Sequence, residues 1–373
     1  MRRATVGQQA ALPPLRPVAA QAGSASLAPA ARQRTAPVAT SPASRGPREP
    51  AERALAALLA PRRSPPGIRV PWDRLREFAT RPGKRLRPKL VELGWRAGGG
   101  AHPAPEGLAR FAAALEVMHA FFLVHDDIAD DAGTRRGGPA LHRVLGDGRL
   151  GEQLAVVAGD LLFVEAIDAM LGCGLPGAAA TTREVLAACR ETAAGQYLDI
   201  AFTGVELSSV SCSAARRAEQ LKTARYSFEA PLVAGAMLAA AGPEVLEALR
   251  RVARPLGLAF QLQDDLLPFR QGDAAGKPAL ADLAAGKKTW LLLLTWRALD
   301  EVGRARLKGC LAHPDAAALA ALQRMITDCG ALARVEREVR RLCARSRKAA
   351  ACAPLLEVAR SLDAVIARVE AMA

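Results

Sequence analysis

The stretch AALEVMHAFFLVHDDIADDAGTRRGG, which runs from Ala113 to Gly138, decides the fold and the chemistry that this sequence predicts. Its first half has the apolar composition of a helix buried on most sides, and four aspartates follow between positions 126 and 131. Asp126 and Asp130 are four positions apart and therefore share one face of a helix. Carboxylates this close repel one another unless a positive charge lies on them. We interpret the cluster as a cation site at the end of a buried helix, in preference to a solvated acidic helix end.

Helical periodicity continues along most of the chain after residue 50, with turns that contain Gly or Pro between the periodic segments. No run of alternating apolar and polar residues bounded by hairpin turns is present. Predicted helices cover 51–60, 71–80, 85–98, 105–131, 149–171, 178–203, 212–225, 228–241, 243–270, 286–301, 304–311, 315–329, 331–350 and 354–371. We therefore predict an all-α fold, with one helical domain over residues 51–373.

The first fifty residues differ from the rest in composition. They are rich in Ala, Pro, Ser, Arg and Gln, contain eight prolines and show no helical period, so we predict a disordered tail over residues 1–50. Seven arginines against one glutamate supply six of the chain's fourteen net positive charges. The tail is either a solvated segment or a contact for an anionic partner or a membrane surface. Nucleic acid is disfavoured, because the tail has no aromatic residue to stack on bases.

Several classes of protein are excluded by composition. The seven cysteines are scattered without a CxxC pair, which argues against a disulfide framework or a zinc site and favours a reducing cytoplasm. No stretch of about 18 apolar residues is free of charge, so we expect no transmembrane segment. The first residues include arginines but no apolar core, so we expect no secretory signal.

Acidic and basic clusters alternate at the ends of the predicted helices. Asp126, Asp127 and Asp130 form an oxygen-rich group that suits Mg²⁺, and a second acidic pair lies in QLQDDLLPF, at Asp264 and Asp265. Basic residues flank both groups, at Lys84, Arg85, Arg87, Arg135, Arg136, Lys222, Lys277 and Lys287. Arginine forks and lysine ammonium groups beside a Mg²⁺ site suit diphosphate groups.

Six motifs carry a resemblance to a known family. GKRLRP, LVHDDIADDAGTRRGGPALH, GQYLD, KTARYSFEAPLVAGA, FQLQDDLL and GKPALADLAAGKKT occur in the order and spacing of the trans-isoprenyl diphosphate synthases, which the chain resembles from about Leu75 to Thr295. The resemblance implies an isoprenoid synthase helical bundle around a central cavity, with one acidic motif on each of two facing helices. It also implies a Mg²⁺-dependent, head-to-tail condensation of isopentenyl diphosphate with dimethylallyl or geranyl diphosphate, and a homodimer.

The resemblance further implies a role for each matching residue. Asp126 and Asp130 are expected to bind Mg²⁺ with Asp127 in support, and Asp264 to bind a third Mg²⁺ with Asp265 and Asp282 nearby. Residues expected to hold the allylic diphosphate are Arg135, Lys222, Lys277 and Lys287. Residues expected to hold isopentenyl diphosphate are Lys84, Arg87, His119 and Arg136, with Arg85 counted among the substrate-binding residues. Lys222, Thr223 and Gln261 form the expected catalytic set, in which the last two place oxygens near the developing carbocation.

The second acidic motif departs from the family pattern. The family's second motif usually reads DDxxD, whereas here the last position is Pro268. Proline ends or kinks a helix, and the missing carboxylate predicts weaker Mg²⁺ binding or slower turnover. We favour an active enzyme. A class I terpene cyclase and a non-catalytic partner subunit with a decayed site remain as alternatives.

Two adjacent aromatic residues precede the first aspartate cluster. Phe122 lies four positions before Asp126, about 6 Å deeper along the same helix, and Phe121 lies one position further. In the family, bulky residues at these places accompany short products. We therefore predict a C15 or C10 product, with C20 as the alternative, and simple core packing is the competing interpretation of the two rings.

The tail also resembles the Ala-, Pro- and Arg-rich extensions of bacterial enzymes that are packaged inside protein shells. Docking of residues 1–50 to such an encapsulin shell, and hence location in a nanocompartment of the cytoplasm, is one hypothesis. A plain linker and a mis-assigned start codon are the alternatives.

Overall fold

Helices form nearly all of the chain that the structure describes. The computed structural model describes residues 49–60, 70–271, 287–313 and 315–372, apart from the side chains of 268–271, 316 and 353. The α-helices are α1 Pro50–Leu58, α2 Trp72–Thr80, α3 Leu86–Ala97, α4 Glu106–Ala129, α5 Leu141–Leu145, α6 Gly148–Leu171, α7 Ala178–Thr203, α8 Cys212–Glu219, α9 Ala230–Leu238, α10 Pro243–Gln271, α11 Trp290–Ala298, α12 Glu301–Ala312, α13 Ala316–Asp328, α14 Ala331–Ala350 and α15 Ala359–Glu370. Short 3₁₀ turns cover Leu207–Ser209 and Ala353–Val358. The all-α prediction is confirmed. The predictions for tail residues 1–48, Lys277 and Asp282 lie outside the described residues.

The segment between α8 and α9 differs from the prediction. We predict two helices with a break at 226–227, but the chain stays helical throughout and adopts π-helical geometry over Gln220–Glu229. A π-helical turn has one more residue per hydrogen-bonded ring than an α-helical turn, and such turns are frequent at functional sites. Here the segment contains both Lys222 and Thr223.

A two-stranded hairpin follows the first aspartate cluster, although no strand is predicted there. Strand β1, Thr134–Arg135, pairs antiparallel with β2, Gly138–Pro139. Arg136 and Gly137 form the two-residue turn with φ of 50° and 75°. Positive φ at both central positions matches the twist of a tight hairpin. The hairpin is too short to show period-two alternation, so the sequence pattern could not reveal it.

The apolar helix α4 lies inside the bundle. By length and composition alone this 24-residue helix could cross a membrane, with a mean hydropathy of 1.5 over its most apolar window. Of that window, 61% is buried inside the protein, where α4 contacts α1, α3 and α6. Burial among helices accounts for its apolar character, as expected for a core helix.

Two glycines bring α3 and α9 into direct backbone contact. A Cβ added to Gly94 would lie 1.9 Å from the carbonyl oxygen of Leu232, and a Cβ added to Gly235 would lie 1.9 Å from the carbonyl oxygen of Val91. Neither contact is sterically possible, so only glycine permits this spacing. The close packing fixes α3, which carries Arg87, against the helix that continues from the Lys222 segment.

Replacing Gly235 with alanine is expected to lower the free energy of unfolding by about 3 kcal/mol, because the new methyl group must push two backbones apart. Gly309→Ala is the matched control: it also lies inside a helix, but a Cβ there meets no atom within 4 Å. That change should leave stability the same or raise it by about 0.5–1 kcal/mol. Urea unfolding measures both variants, and equal midpoints for Gly235→Ala and the wild type would contradict the prediction.

Candidate active site

A cavity of about 670 Å³ lies among α4, α7, α8, the π-helical segment and α10. Asp126 and Asp130 line it from α4, and Asp264 and Asp265 line it from α10. The two acidic motifs, far apart in sequence, therefore meet at one cavity. The predicted site residues that line this cavity are Arg87, His119, Phe121, Phe122, Asp126, Asp130, Arg135, Lys222, Thr223, Gln261, Asp264, Asp265 and Lys287.

Lysine side chains neutralise the aspartates of α4. The Lys287 ammonium group donates to Asp130 Oδ2 at 2.7 Å, and the Lys222 Nζ lies 3.3 Å from Asp126 Oδ1. The Gln196 side-chain amide also donates to Asp126, at 3.0 Å. Among the described residues, no three His, Cys, Asp or Glu side chains converge into a ready-made metal cluster. The carboxylates are therefore held by internal cations and stand apart from one another.

The same lysines set the ionisation of this pair. Burial opposes ionisation of Asp126, but the ammonium groups of Lys222 and Lys287 outweigh it and hold the pKa of Asp126 below its ordinary value. Burial and the neighbouring Asp126 charge raise the pKa of Asp130. Opposite shifts are expected when two carboxylates share one site. Asp126 is thus more strongly ionised than Asp130.

Asp127 lies behind the cavity wall. Its side chain is fully buried and accepts a hydrogen bond from Arg135 Nε at 2.6 Å. Arg135 in turn lies 3.7 Å from Asp126 Oδ2 at the cavity surface. The structure therefore does not bring Asp127 to the cavity as a metal ligand, and its carboxylate orients the arginine that does reach the cavity.

Arginines surround a partly exposed histidine, His119, at the α3 side of the cavity. Burial, with the charges of Arg87 and Arg136, holds the pKa of His119 well below its ordinary value, so the imidazole is neutral. Burial also lowers the pKa of Arg136 to about 10. Arg87 donates to Ser227 Oγ at 2.7 Å and stacks over the Tyr226 ring at 5.1 Å. His119 and Arg87 line the cavity, whereas Arg136 does not.

Two of the predicted substrate-binding residues, Arg85 and Lys84, contact groups outside the cavity. Arg85 forms an ion pair of 2.7 Å with the buried Glu116 and donates to the Arg81 carbonyl at 2.8 Å. Lys84 Nζ lies 3.4 Å from the Met372 sulfur and 5.0 Å from the centre of the Phe260 ring. Burial lowers the pKa of Lys84. Neither Lys84 nor Arg85 lines the cavity.

Two of the three predicted catalytic residues, Thr223 and Gln261, belong to one hydrogen-bond network. The Thr223 hydroxyl donates to the Gln261 side-chain oxygen, and the Gln261 amide donates to Asp265 Oδ1 at 3.1 Å. Lys222 also donates to Asp199 Oδ2 at 2.8 Å. The network joins the π-helical segment to α10. It orients Gln261 so that its position depends on both helices.

The helix that carries the second acidic motif continues past its proline. We predict that Pro268 ends or kinks this helix, but α10 extends to Gln271. Proline lacks the backbone N–H that would donate to the carbonyl one turn earlier, so the helix loses one hydrogen bond at this position and still continues. Pro268 therefore does not end the helix, and Asp264 and Asp265 keep helical positions one turn earlier.

Three aromatic rings that line the cavity, those of Phe121, Phe122 and Tyr226, pack together, and Phe163 supports them from α6. Phe121 and Phe122 have ring centres 4.8 Å apart, Phe121 lies 5.0 Å from Phe163 of α6, and Phe122 lies 4.8 Å from Tyr226. The Tyr226 hydroxyl donates to the Leu115 carbonyl at 3.1 Å. Because rings from three elements support each other, the two phenylalanines are fixed in place.

Sequence reasoning missed several residues of this site. Gln196 and Asp199 lie three positions apart in GQYLD, so their shared helix face was a signal for a joint role. Glu219 gave no such signal. It is partly exposed, lines the cavity and accepts the Trp290 backbone N–H at 2.8 Å. Burial raises its pKa to about 7.

Replacing Glu219 with glutamine is expected to remove a pH dependence of stability. The pKa of Glu219 is about 7 in the fold against an ordinary 4.5, so between these values the folded protein keeps a proton that the unfolded chain has released. Wild-type stability should therefore fall as pH rises from 4.5 to 7, by an amount on the order of 3 kcal/mol. Urea unfolding at pH 5 and pH 7.5 measures this. Parallel pH profiles for the two proteins would contradict it.

Comparison with known proteins agrees with this geometry. The polyprenyl synthetase family profile matches residues 73–328. A short chain isoprenyl diphosphate synthase of Methanothermobacter thermautotrophicus is 36% identical over 241 residues, which are 63% of this chain and 70% of the relative. A (2E,6E)-farnesyl diphosphate synthase of Mycobacterium tuberculosis is 37% identical over 216 residues, 57% of this chain and 56% of the relative. The matched part thus spans just over half of the Mycobacterium enzyme.

Solved structures show the same fold. A geranylgeranyl pyrophosphate synthase from Corynebacterium glutamicum, complexed with isoprenyl diphosphate and magnesium, matches with a TM-score of 0.78 and 29% identity, covering 87% of this chain and 98% of its own. A polyprenyl synthase from Caulobacter crescentus, complexed with calcium and isoprenyl diphosphate, matches with a TM-score of 0.75 and 26% identity over 86% of this chain and 93% of its own. The family match covers well over half of the chain, and the isoprenoid synthase fold agrees with it. This protein therefore belongs to the polyprenyl synthetase family of prenyltransferases.

Proposed function

We propose that this protein condenses isopentenyl diphosphate head-to-tail with an allylic diphosphate, dimethylallyl or geranyl diphosphate, in a Mg²⁺-dependent reaction. One observation carries the proposal: acidic pairs at α4 and on α10 face a common cavity that is also lined by arginine, lysine and aromatic side chains. Such a cavity accepts a molecule with a diphosphate head and an apolar tail. The magnesium and isoprenyl diphosphate in the Corynebacterium structure support the same proposal.

The residues present fit a magnesium ion. Mg²⁺ prefers oxygen ligands and is commonly held by one or two carboxylates together with substrate phosphates. Asp126 and Asp130 would hold it from α4, and Asp264 from α10, with Asp265 beside it. Bound Mg²⁺ supplies charge neutralisation to a departing diphosphate. Asp126 and Asp130 are each paired with a lysine. This pairing favours binding of Mg²⁺ together with a diphosphate over binding of Mg²⁺ alone.

The cationic side chains form two groups, one for each substrate. Arg135, Lys222 and Lys287 would bind the allylic diphosphate, since each already holds a carboxylate oxygen at the cavity. Arg87 and neutral His119 would hold isopentenyl diphosphate, with Arg136 and Lys84 close by. Arg85 supports this group through Glu116. Lys277 lies outside the described residues and stays a prediction on the allylic side.

The polar network of Thr223 and Gln261 would act on the reacting carbons. A hydroxyl and an amide oxygen would supply partial negative charge at the part of the cavity where an allylic cation would develop. Because the Gln261 amide is bound to Asp265, its oxygen is held toward Thr223. The aromatic rings of the cavity exclude water that would otherwise capture the cation.

A short product, C15 or C10, follows from the aromatic rings that line the cavity, with C20 as the alternative. The relatives include farnesyl, geranylgeranyl and geranylfarnesyl diphosphate synthases, so their names leave the chain length open. Phe121 and Phe122 are supported by Phe163 and Tyr226. Rings fixed in this way cannot easily move aside for a longer tail.

One turnover assay tests the proposed function against its alternatives. Purified protein is incubated with Mg²⁺, isopentenyl diphosphate and dimethylallyl diphosphate, and the products are separated after dephosphorylation. A prenyl alcohol longer than C5 is expected. A terpene cyclase would leave isopentenyl diphosphate unused but convert geranyl or farnesyl diphosphate to hydrocarbon, and a non-catalytic subunit would convert neither.

A homodimer is proposed from an exposed apolar stripe on α6. Leu150, Val157, Val164 and Leu171 lie seven residues apart and each is more than half exposed, so they follow one side of the helix. Two copies of such a stripe can cover each other across a two-fold axis.

Docking of residues 1–50 to a protein shell stays a prediction, tested by whether a chain without them still co-purifies with a shell protein.

Substituting lysine at both Val157 and Val164 is expected to give a monomer, because four buried charges would face each other across the two-fold axis. Val302→Lys is the control, since Val302 is an exposed valine on α12, well away from the stripe in sequence. Sedimentation equilibrium measures the mass of each protein. A monomeric wild type, or a dimer that survives both lysines, would contradict the proposed interface.

A further inference from the structure

A second recess, of about 480 Å³, lies between α8, the first residue of α11 and α14. Its lining residues are Arg216, Trp290, Arg334, Arg337, Glu338 and Arg341. None of these side chains lines the candidate active site. The recess is therefore a separate feature that the proposed function does not use.

Positive charge is in excess in this recess. Glu338 is its sole acidic lining residue and is shared by two arginines, since it accepts from Arg216 and from Arg341 Nε at 2.7 Å. Arg334 and Arg337 are exposed, and within the described part of the chain neither has an ion-pair partner. Four guanidinium groups thus face one carboxylate, and a further anion would be attracted there.

The arginines approach the recess from two helices. Arg334, Arg337 and Arg341 follow one face of α14 at spacings of three and four residues. Arg216 reaches in from α8, with its guanidinium 5.0 Å from the centre of the Trp290 ring. The indole is buried and supports the stacked guanidinium, which orients its remaining N–H groups. Planar guanidinium forks present pairs of N–H groups that suit the oxygens of a phosphate group.

We propose that this recess binds a phosphate- or diphosphate-bearing ligand outside the active site. The phosphate oxygens would accept hydrogen bonds from Arg334 and Arg337 and share Arg216 and Arg341 with Glu338. A single carboxylate group has only two oxygens and one negative charge, fewer than a phosphate group offers to this many donors. The phosphate group can belong to a soluble compound or to the headgroup of an anionic lipid.

The test compares two double variants with the same loss of charge. Arg334→Gln with Arg337→Gln removes two arginines that line the recess, and Arg340→Gln with Arg345→Gln removes two exposed arginines of the same helix that do not. Inorganic diphosphate is titrated by calorimetry into each full-length protein in buffer without divalent metal. The recess variant is expected to bind about tenfold more weakly or worse, and the control variant like the wild type.

A second arm distinguishes the source of the phosphate. Co-sedimentation with vesicles that contain phosphatidic acid is measured for the same three proteins. Loss of vesicle binding in the recess variant alone assigns the site to a lipid headgroup, and loss of diphosphate binding alone assigns it to a soluble ligand. Equal weakening in both variants, no change in either, or no binding of either probe by the wild type would overturn the proposal.

Discussion

Asp126→Asn is expected to lower turnover about a hundred- to a thousandfold, the largest loss among single substitutions of this protein. Asp126 is held by Lys222, Gln196 and Arg135 at the cavity surface, and its pKa lies below the ordinary value. Asparagine keeps the shape but loses the negative charge and one oxygen that Mg²⁺ requires. Lys222 retains Asp199 as a partner, so the fold should survive.

Asp131→Asn is the matched control for this experiment. Asp131 belongs to the same cluster, but its side chain is 80% exposed and pairs with Arg143. Steady-state kinetics with varied Mg²⁺ should show a large loss for Asp126→Asn and near wild-type turnover for Asp131→Asn. Isothermal titration of Mg²⁺ in the presence of a non-reactive diphosphate provides a readout besides activity. Equal kinetics for the two variants would rule out the assigned role of Asp126.

Replacing both Phe121 and Phe122 with alanine is expected to lengthen the main product by at least one isoprene unit, to C20 or beyond if the wild type makes C15. The two rings line the cavity, and their removal enlarges it along α4. Chromatography of the dephosphorylated products measures chain length directly. An unchanged product distribution would favour simple core packing as the role of these rings.

Loss of stability alone must be separated from this effect. A buried Phe→Ala change costs about 3–5 kcal/mol, so a control should remove a ring of equal size elsewhere. Phe111→Ala serves this purpose, since Phe111 is fully buried on the same helix and does not line the cavity. It should lower thermal stability but leave the product length unchanged.

Apolar periodicity and turn residues in the sequence predicted the helices whose bounds are set by nearby residues. Helix 178–203 and helix 331–350 were predicted with their observed bounds, because periodicity and flanking glycines define them. The hairpin at Arg136 and the π-helical geometry at Lys222 were missed, since both depend on a few backbone angles that apolar patterning does not encode.

Long-range pairing explains the remaining differences at the site. In sequence, Arg85 has the same charge as its neighbours Lys84 and Arg87. In the fold, its guanidinium group forms an ion pair with Glu116 of α4. In sequence, Asp127 has the same chemistry as its neighbour Asp126. In the fold it lies on another face of the helix, where it is buried and paired with Arg135. Adjacent residues with the same chemistry thus face different environments, and only the packing of other helices decides which of them reaches the cavity.

The lysine–aspartate pairs of the cavity have a consequence for how salt affects ligand capture. Under the proposed function, Lys222 and Lys287 would pass from Asp126 and Asp130 to phosphate oxygens, so a bound diphosphate would exchange partners with groups already inside the protein. Such an exchange releases few ions to the solvent. Its equilibrium should therefore depend little on ionic strength, in contrast to attraction between exposed charges, which salt screens over about 10 Å.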